Sequence, residues 1–324
     1  MIVRWGLGEL PGLLEEIGSE RPLLVSTERW RELELSVERR FHGARAHAEL
    51  RGVREATAQA AEADALVAVG GGSAIDTAKA VSAEIGLPVV SVPTTYSGAE
   101  WTTFYGMRDA ERGTKGGGAG AMLAGIVYEP QLTLSLPRAD SAGTAMNALA
   151  HCAESLYVLN RTEESDAHSL EGARLISAWL PPVLEDGRNL EARTELLRGA
   201  CEGGAALGAS GLALGHAMAQ ALGGRYGFQH GALNAICLPP ALRYNEPAVP
   251  EALERFGRAM GTDDPIGRTV ELARLGGHER LRELGVPRDE LDEVAELTAA
   301  RPAMRLNPRP AGPAEIAELL RSVW

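Results

Sequence analysis

The sequence predicts a parallel α/β domain followed by an all-helical domain. Over roughly the first 138 residues, short apolar runs alternate with stretches of helical spacing. After Pro137, β-branched runs become rare and long segments rich in Ala, Leu, Glu and Arg take over. Strand, helix and strand in this order are typical of βαβ units and a parallel sheet. A chain of 324 residues is long enough for two cores. We therefore predict an α/β domain over 1–138 and a helical domain over 139–324.

Three apolar runs are the predicted strands of the first domain. Residues 22–26, 64–69 and 87–93 are rich in Val and Leu and are bounded by Pro, Gly or Asp. Residues 50–63 have helical spacing, and Ser73 begins an alanine-rich segment that reads as a second helix. The strands are long enough to be buried, and the intervening helices would cover the sheet.

The second domain is predicted to consist of helices packed on each other, because its apolar positions recur at helical spacing. The predicted helices cover 141–160, 165–180, 190–224 and 250–300. Proline and glycine end helices or form turns, so we place breaks or loops at Pro181-Pro182, Pro239-Pro240, 307–310 and Gly116-Gly117-Gly118.

Charge and composition exclude some classes of partner. The formal net charge is −12, which argues against nucleic acid and anionic membranes, since both need a basic surface. Three cysteines far apart do not form a disulfide framework and fit a reducing cytoplasm. The sequence contains neither a long uninterrupted apolar stretch nor a signal-peptide layout, so we expect a cytoplasmic protein.

A glycine-rich turn joins the second predicted strand to the helix that follows it. Gly70-Gly71-Gly72-Ser73 would let the backbone approach a pyrophosphate, and the helix N-terminus would offer free N–H groups. The alternative is a tight turn without a ligand, because the run is not the G-x-G-x-x-G fingerprint. Asp76 and Lys79 lie inside this helix, where they could form an exposed or capping pair.

A second polar loop, Pro93-Thr94-Thr95-Tyr96-Ser97-Gly98-Ala99-Glu100, follows the next strand. Hydroxyl groups at the carboxyl end of a parallel strand are well placed to bind a ribose or a carboxamide. A polar turn without a ligand is an equal alternative at this point.

Three of the seven histidines occur in two short apolar segments. His151 follows Asn147 by one helical turn, and His216 is followed by His230 after a glycine-rich stretch. Converging neutral imidazoles commonly form a transition-metal site, but the position that would complete it with a carboxylate holds the amide of Asn147. Spacing alone leaves a shared site and separate core histidines both open. The other histidines, His42, His47, His168 and His278, are interpreted as ordinary structural residues.

The motifs occur in the order found in one family. The chain resembles the iron-containing (group III) alcohol dehydrogenases, and within them the maleylacetate reductase branch. The resemblance rests on Gly70 to Ala80, Pro93 to Glu100, Met146 to His151, His216 to His230, Leu238 to Asn245, and Asn307 to Pro310. It implies an N-terminal dinucleotide-binding α/β domain and an all-α C-terminal domain, the dehydroquinate synthase-like or iron-containing alcohol dehydrogenase fold.

The resemblance also implies which residues bind NADH or NADPH. Gly71, Gly72 and Ser73 would hold the pyrophosphate, with Asp76 in the same motif, and Thr94, Thr95, Ser97, Tyr105 and Lys115 would lie along the ribose and nicotinamide. Thr27 falls where many members carry an aspartate that binds the adenine ribose. Since threonine lacks the charge that repels a 2′-phosphate, NADPH as well as NADH is expected to bind.

The metal positions of the family match Asn147, His151, His216 and His230. Three departures affect this site. Asn147 replaces a metal-binding aspartate, which weakens the expected affinity for Fe²⁺ or Zn²⁺. Gln220 stands where many members have another histidine, and glutamine cannot titrate. The segment between Thr27 and Gly70 and the C-terminal segment are shorter than usual.

The resulting hypothesis is hydride transfer from NAD(P)H to a conjugated enone-acid or carbonyl substrate. The developing oxyanion would be stabilised either by a metal or, without one, by the three histidines together with Asn147. Arg225, Arg243 and Lys115 are candidates to bind a substrate carboxylate. The alternatives are a metal-dependent alcohol dehydrogenase or aldehyde reductase, and a nucleotide-binding homologue that has lost catalysis. A homodimer is expected for such folds, with a small molecule as the substrate.

Overall fold

The structure, a computed structural model, describes residues 1–109 and 114–324, and it leaves the side chains of Thr114 and Lys115 undescribed. The chain forms two compact units. The first contains Met1–Thr95 and Ala99–Thr133, and the second contains Tyr96–Gly98 and Leu134–Trp324. The segment of three residues between Thr95 and Ala99 therefore packs with the helical unit. We propose, as the sequence predicts, that the helical domain begins at residue 139.

The first unit contains a parallel sheet of six strands. Their spatial order is β1, β8, β5, β4, β2, β3, and every neighbouring pair is parallel. A separate antiparallel pair is formed by β6 and β7. The bounds are Ile2–Trp5 (β1), Pro22–Ser26 (β2), Arg39–Phe41 (β3), Ala65–Gly70 (β4), Pro88–Pro93 (β5), Tyr105–Asp109 (β6), Thr114–Gly118 (β7) and Met122–Tyr128 (β8).

Helices cover both faces of this sheet, because successive side chains of a strand point to opposite faces. Leu23 and Leu66 pack on one face with α2 and α3, while Leu24 and Val67 pack on the other with α1. Both faces are buried, which explains why the central strands are uninterrupted apolar runs. The bounds are Leu10–Glu16 (α1), Leu50–Gln59 (α2) and Gly72–Ile85 (α3).

Nine further helices form the second unit among the described residues. Their bounds are Arg138–Ser155 (α4), Glu163–Glu185 (α5), Leu190–Gly208 (α6), Leu214–Tyr226 (α7), His230–Asn245 (α8), Pro250–Met260 (α9), Pro265–Leu275 (α10), Leu291–Ala299 (α11) and Pro313–Ser322 (α12). The α/β and all-helical fold class predicted from the sequence is confirmed. Within the described ranges, no helix is both long and apolar enough to cross a membrane.

Two of the predicted proline breaks are wrong. Pro181 and Pro182 lie inside α5, and Pro239 and Pro240 lie inside α8. A proline in a helix leaves the carbonyl four residues earlier without its N–H partner. In α5 the carbonyl of Ser177 accepts a hydrogen bond of 2.7 Å from the Arg268 guanidinium instead. Tertiary contacts therefore compensate for what the sequence pattern alone interprets as a break.

The predicted glycine loop at 116–118 is also wrong. These glycines lie in β7 and pair with β6. A Cβ added at Gly117 would overlap the backbone oxygen of Tyr105. Glycine is therefore required at this position by a close approach within the hairpin rather than by a turn.

A buried carboxyl group in the first unit makes stability depend on pH. Glu100 is 1 % exposed, its Oε1 accepts a hydrogen bond of 2.8 Å from Tyr128, and its Oε2 has no partner among the described residues. Burial is the largest effect on this group and raises the pKa of Glu100 above its usual 4.5. The folded state thus holds a proton at pH values where the unfolded chain has lost it.

Replacing Glu100 by glutamine is expected to reduce this pH dependence. As pH rises through the interval between the unfolded and folded pKa values, the wild type should lose stability relative to the variant. Urea unfolding at pH 5 and pH 8 measures this difference. A gap between wild type and Glu100→Gln that stays constant over that interval would show that the carboxyl is not protonated in the fold.

Candidate active site

Three predicted cofactor residues lie at one edge of the sheet. Thr27 follows β2, Gly71 follows β4 and Thr94 follows β5, and these three strands are neighbours. Since all strands of the sheet are parallel, their carboxyl ends meet at the same edge. This is the edge at which open α/β sheets bind nucleotides.

The turn after β4 forms a cradle that an added side chain would fill. Gly71 is the N-cap of α3 and offers no side-chain cap to the first turn. A Cβ on Gly71 would lie 2.8 Å from the methyl carbon of Thr95. The hydroxyl of Thr95 is buried and has no partner among the described residues. Free N–H groups at the start of a helix, a glycine cradle and an unpartnered hydroxyl fit a dinucleotide pyrophosphate.

Two other predicted cofactor residues form hydrogen bonds within the protein. The hydroxyl of Ser73 accepts the N–H of His47 at 3.0 Å. The carboxylate of Asp76 lies 2.9 Å from Lys79 and accepts the N–H of Gly106 at 3.1 Å. The Asp76–Lys79 pair suggested by the sequence therefore exists, but it is not exposed, because Lys79 is 1 % accessible. Its role in the fold is to hold β6 against α3.

The remaining cofactor candidates have different surroundings. Tyr105 begins β6 and is half-buried. Lys115 pairs with Arg108 in the hairpin, and its side chain lies outside the described part of the structure. Ser97 belongs to the helical unit, and its buried hydroxyl has no partner among the described residues. Gly72 is the first residue of α3.

Three helices of the second unit bring the histidines together. His151 lies in α4, His216 in the first turn of α7, and His230 at the start of α8. The imidazole centroids of His151 and His216 are 4.9 Å apart, and those of His216 and His230 are 5.8 Å apart. The shared site that spacing alone left open is therefore formed.

Glycines allow these helices to approach so closely. A Cβ on Gly231 would overlap the backbone of Gly143, where α8 crosses α4. A Cβ on Gly98 would lie 3.2 Å from the Nδ1 atom of His151, and Gly98 has a left-handed φ of +72°. Side chains at these positions would separate the elements that carry the imidazoles.

Glu154 orients His216. Its Oε2 lies 2.9 Å from the Nδ1 atom of His216 and also accepts the N–H of Ala213 at 2.6 Å. Its Oε1 accepts the N–H of His216 at 3.1 Å. Because both carboxylate oxygens are acceptors, Nδ1 of His216 carries the hydrogen. The carboxylate also occupies the N-terminus of α7, where a negative charge is stabilised by the helix dipole.

Asn147 orients His151. The amide nitrogen of Asn147 donates to the carbonyl oxygen of Ser97 at 2.8 Å and lies 3.3 Å from Nε2 of His151. The amide oxygen accepts a 2.5 Å hydrogen bond from Asn234. A carbonyl oxygen can only accept, so the contact with Ser97 fixes which end of the amide faces His151. Nε2 of His151 is consequently the acceptor, and Nδ1 carries its hydrogen.

Each of these two imidazoles has one buried ring nitrogen without a partner in the described part of the chain. These nitrogens are Nδ1 of His151 and Nε2 of His216. Burial is the main cause that holds the pKa of His151 well below its usual range, with the neighbouring His216 and His230 lowering it further. His151 is therefore neutral at physiological pH and offers an N–H donor.

This arrangement does not fit a divalent cation. Asn147 directs an N–H group at Nε2 of His151, and its own oxygen is bound by Asn234. A metal on Nε2 of His151 would have to displace the N–H of Asn147, and ligation by Asn147 would cost its bond with Asn234 and supply a neutral amide in place of a charge. Among residues 1–109 and 114–324, no group of three or more His, Cys, Asp or Glu is placed to hold a metal ion.

Sequence reasoning missed Glu154 and Asn234. Asn147, His151 and Glu154 are spaced i, i+4, i+7 on α4, and His230 and Asn234 are spaced i, i+4 on α8, so one helical face carries each set. Extending the i, i+4 search by one turn beyond each histidine would have found both residues.

Two of the arginines predicted to bind a carboxylate have different surroundings. Arg225 lies 2.7 Å from Glu290 and 2.6 Å from Glu293, so its charge is already compensated. Arg243 is exposed near the end of α8. These ion pairs argue against Arg225 as the residue that binds a substrate carboxylate.

Comparison with known proteins places the chain in a family. Residues 4–124 match the model of the iron-containing alcohol dehydrogenases, and residues 141–324 match the model of the C-terminal part of the same family. The chain belongs to the iron-containing alcohol dehydrogenase family. It is accordingly an NAD(P)-dependent oxidoreductase, as the resemblance predicted.

Relatives within this family include proteins named maleylacetate reductase. The chain is 38 % identical to the protein from Sphingobium indicum, over 82 % of this chain and 75 % of that protein. It is 36 % identical to the protein from Burkholderia cepacia, over 95 % and 91 % of the two chains. The crystal structure of maleylacetate reductase from Agrobacterium tumefaciens superposes with a TM-score of 0.90 at 30 % identity, covering 100 % of this chain and 95 % of that one.

Proposed function

We propose that this protein is a maleylacetate reductase that transfers hydride from NADH or NADPH to the conjugated enone of its substrate. One observation carries the proposal. Two neighbouring imidazoles, each oriented by a separate partner, have a buried ring nitrogen without a partner among the described residues. Such a pair suits the stabilisation and protonation of an oxyanion. The relatives named maleylacetate reductase support the choice of substrate.

Cofactor binding is assigned to the edge of the sheet. Gly71, Gly72 and the N-terminus of α3 would bind the pyrophosphate, with Ser73 and Asp76 supporting the turn. The unpartnered hydroxyls of Thr95 and Ser97, together with Thr94, Tyr105 and Lys115, would contact the ribose and nicotinamide. Thr27 would lie at the adenine ribose, where the absence of a carboxylate admits a 2′-phosphate.

A nicotinamide bound there would supply a hydride to the alkene carbon β to the carbonyl, and the electron pair of the double bond would shift onto the carbonyl oxygen. The Nδ1–H group of His151 donates a hydrogen bond to that oxygen. His216 is held on Glu154 through Nδ1, so Nε2 is the nitrogen that exchanges a proton with the substrate. His230 provides the third imidazole of the site.

The contacts of Asn147 favour a reaction without Fe²⁺ or Zn²⁺ in this chain. Its amide holds His151 in the tautomer whose Nδ1–H can donate a hydrogen bond. A hydrogen bond from Nδ1–H to the substrate oxygen would stabilise the negative charge that a Lewis acid would otherwise stabilise. Asn147, His151, His216 and His230 are therefore proposed as catalytic or orienting residues rather than as metal ligands.

A panel of carbonyl substrates with NADH and NADPH tests the proposed function. The purified protein is expected to oxidise either cofactor with maleylacetate. It should react slowly with simple aldehydes, which lack the conjugated acid. Turnover of aldehydes without turnover of maleylacetate would favour an alcohol dehydrogenase or aldehyde reductase. Cofactor binding without turnover of any substrate would indicate a catalytically inactive homologue.

We also propose that the protein is a cytoplasmic homodimer. Within the described residues, Cys152 and Cys237 are buried free thiols, which is compatible with a reducing compartment. Closed two-fold dimers are the commonest soluble oligomers. Light scattering of the purified protein would measure its mass, and a value equal to one chain would contradict the dimer.

A further inference from the structure

The partly buried guanidinium of Arg301 lies beside the helix that carries His216. Arg301 donates one hydrogen bond, of 3.3 Å, from Nη2 to the carbonyl oxygen of Gln220 in α7. Among the described residues, no Asp or Glu forms an ion pair with Arg301. Most of its five N–H donors therefore have no partner in this part of the chain.

The surroundings of this group differ from those of Arg193, Arg225 and Arg255, whose side chains are also partly or fully buried. Arg225 and Arg255 lie against carboxylates. Arg193 is fully buried, but it donates to four oxygen acceptors. Burial lowers the pKa of Arg301 from its usual value. Partial burial of a cation without a nearby carboxylate has a cost that a bound anion would reduce.

Arg301 lies on the face of α7 that leads to the imidazole site. His216, Gln220 and Gly224 are spaced i, i+4, i+8, so they follow one another along one side of the helix. His216 is buried, whereas Gln220 and Gly224 are half-buried, so this face runs from the interior toward the surface. With a rise of about 1.5 Å per residue, Gln220 lies about 6 Å along the axis from His216.

A missing side chain makes room for the guanidinium on this face. A Cβ added at Gly224 would lie 3.2 Å from Nη2 of Arg301. The glycine thus lets the guanidinium rest against α7, one or two turns beyond His216. This separation suits a substrate whose carboxylate lies several bonds from its reacting carbonyl.

We propose that Arg301 binds a carboxylate of the substrate and so makes the enzyme selective for dicarboxylic enones. The inference rests on the proposed function and names the group that recognises the end of the substrate far from the imidazoles. Arginine is suited to this role because its planar N–H groups pair with both oxygens of a carboxylate.

Arg301→Gln tests this proposal, with Arg305→Gln as the matched control. Arg305 lies in the same segment, carries the same charge and is exposed. Arg301→Gln should raise KM for maleylacetate about 10- to 100-fold, the loss expected for a hydrogen bond to a charged group. Arg305→Gln should leave KM unchanged, and Arg301→Lys should restore part of the binding. KM for NADH should not change in any of these variants. Measurements of NADH affinity and of the thermal unfolding temperature would show that each variant is folded.

The two monomethyl esters of maleylacetate make the test specific for one carboxylate. Wild type should reduce one of the two esters as poorly as Arg301→Gln reduces maleylacetate, because in that ester the carboxylate that would bind Arg301 is blocked. Equal KM values for maleylacetate in wild type, Arg301→Gln and Arg305→Gln would overturn the inference while leaving the proposed function intact. A rise in KM for NADPH alone would also overturn it, since the bound anion would then be the cofactor phosphate. If the wild type does not turn over maleylacetate, the proposed function itself fails, and the inference fails with it.

Discussion

Glu154→Gln is expected to lower kcat about 10- to 100-fold while leaving the affinity for NAD(P)H unchanged, the range typical for losing a partner that orients a functional histidine. The glutamine amide cannot accept hydrogen bonds at both of its terminal atoms. With the amide oxygen at the position of Oε2, the N–H of His216 loses its acceptor; with it at the position of Oε1, the N–H of Ala213 and Nδ1–H of His216 both lose theirs. His216 would then sample other ring orientations, and Nε2 would no longer be directed at the substrate oxygen. Stopped-flow measurement of NADH oxidation separates this loss from slow product release.

Glu202→Gln is the matched control for Glu154→Gln. Glu202 also contacts an imidazole, with 2.6 Å between its Oε2 and Nδ1 of His168, but the pair is about one-third exposed and lies between α5 and α6. Both substitutions remove one carboxylate from a Glu–His pair, and only the first pair belongs to the proposed site. Equal kcat values for the two variants would show that Glu154 has only a structural role.

Arg193→Met is expected to destabilise the helical unit by about 3–5 kcal/mol, since buried acceptors left without donors each cost about 1–3 kcal/mol. The guanidinium is 1 % exposed and donates to the hydroxyls of Tyr96 and Ser141 and to the carbonyls of Leu136 and Gly187. Tyr96 precedes Ser97, whose carbonyl holds the amide of Asn147. The variant should therefore lose activity together with stability.

Arg174→Met serves as the control for Arg193→Met. Arg174 is more than half exposed, and its ion pair with Glu171 is of a kind that contributes about 0–1 kcal/mol. Denaturant unfolding of both variants, combined with kcat at a temperature where both are folded, measures the two effects. A loss below about 1 kcal/mol in Arg193→Met would contradict the account of this buried network.

The sequence predicts the fold class because each central strand is a single apolar run that ends in Gly or a polar residue. The run before Gly70 and the run before Thr94 both became strands of the parallel sheet. The proline breaks were wrong because the outcome depends on distant residues. The guanidinium that binds the freed carbonyl of Ser177 belongs to Arg268, which no local pattern could connect with it.

The sequence predicts the histidines of the site, but not the contacts that determine their chemistry. The family resemblance places Asn147 at a metal position, and only the structure shows that its amide is held by Ser97 and Asn234. Likewise, the sequence alone does not show which of Arg225 and Arg301 has a carboxylate partner. Tertiary structure distinguishes them, because two carboxylates surround Arg225 and none of the described carboxylates pairs with Arg301.

The central claim is that oriented imidazoles, rather than a metal ion, activate the substrate oxygen. The most direct test is to measure the metal content of the purified protein and its rate of NADH oxidation with maleylacetate before and after exhaustive chelation. We expect the chelated protein to contain less than a stoichiometric amount of Fe²⁺ or Zn²⁺ and to keep its full rate. Loss of activity on chelation, restored by adding either ion, would contradict the claim.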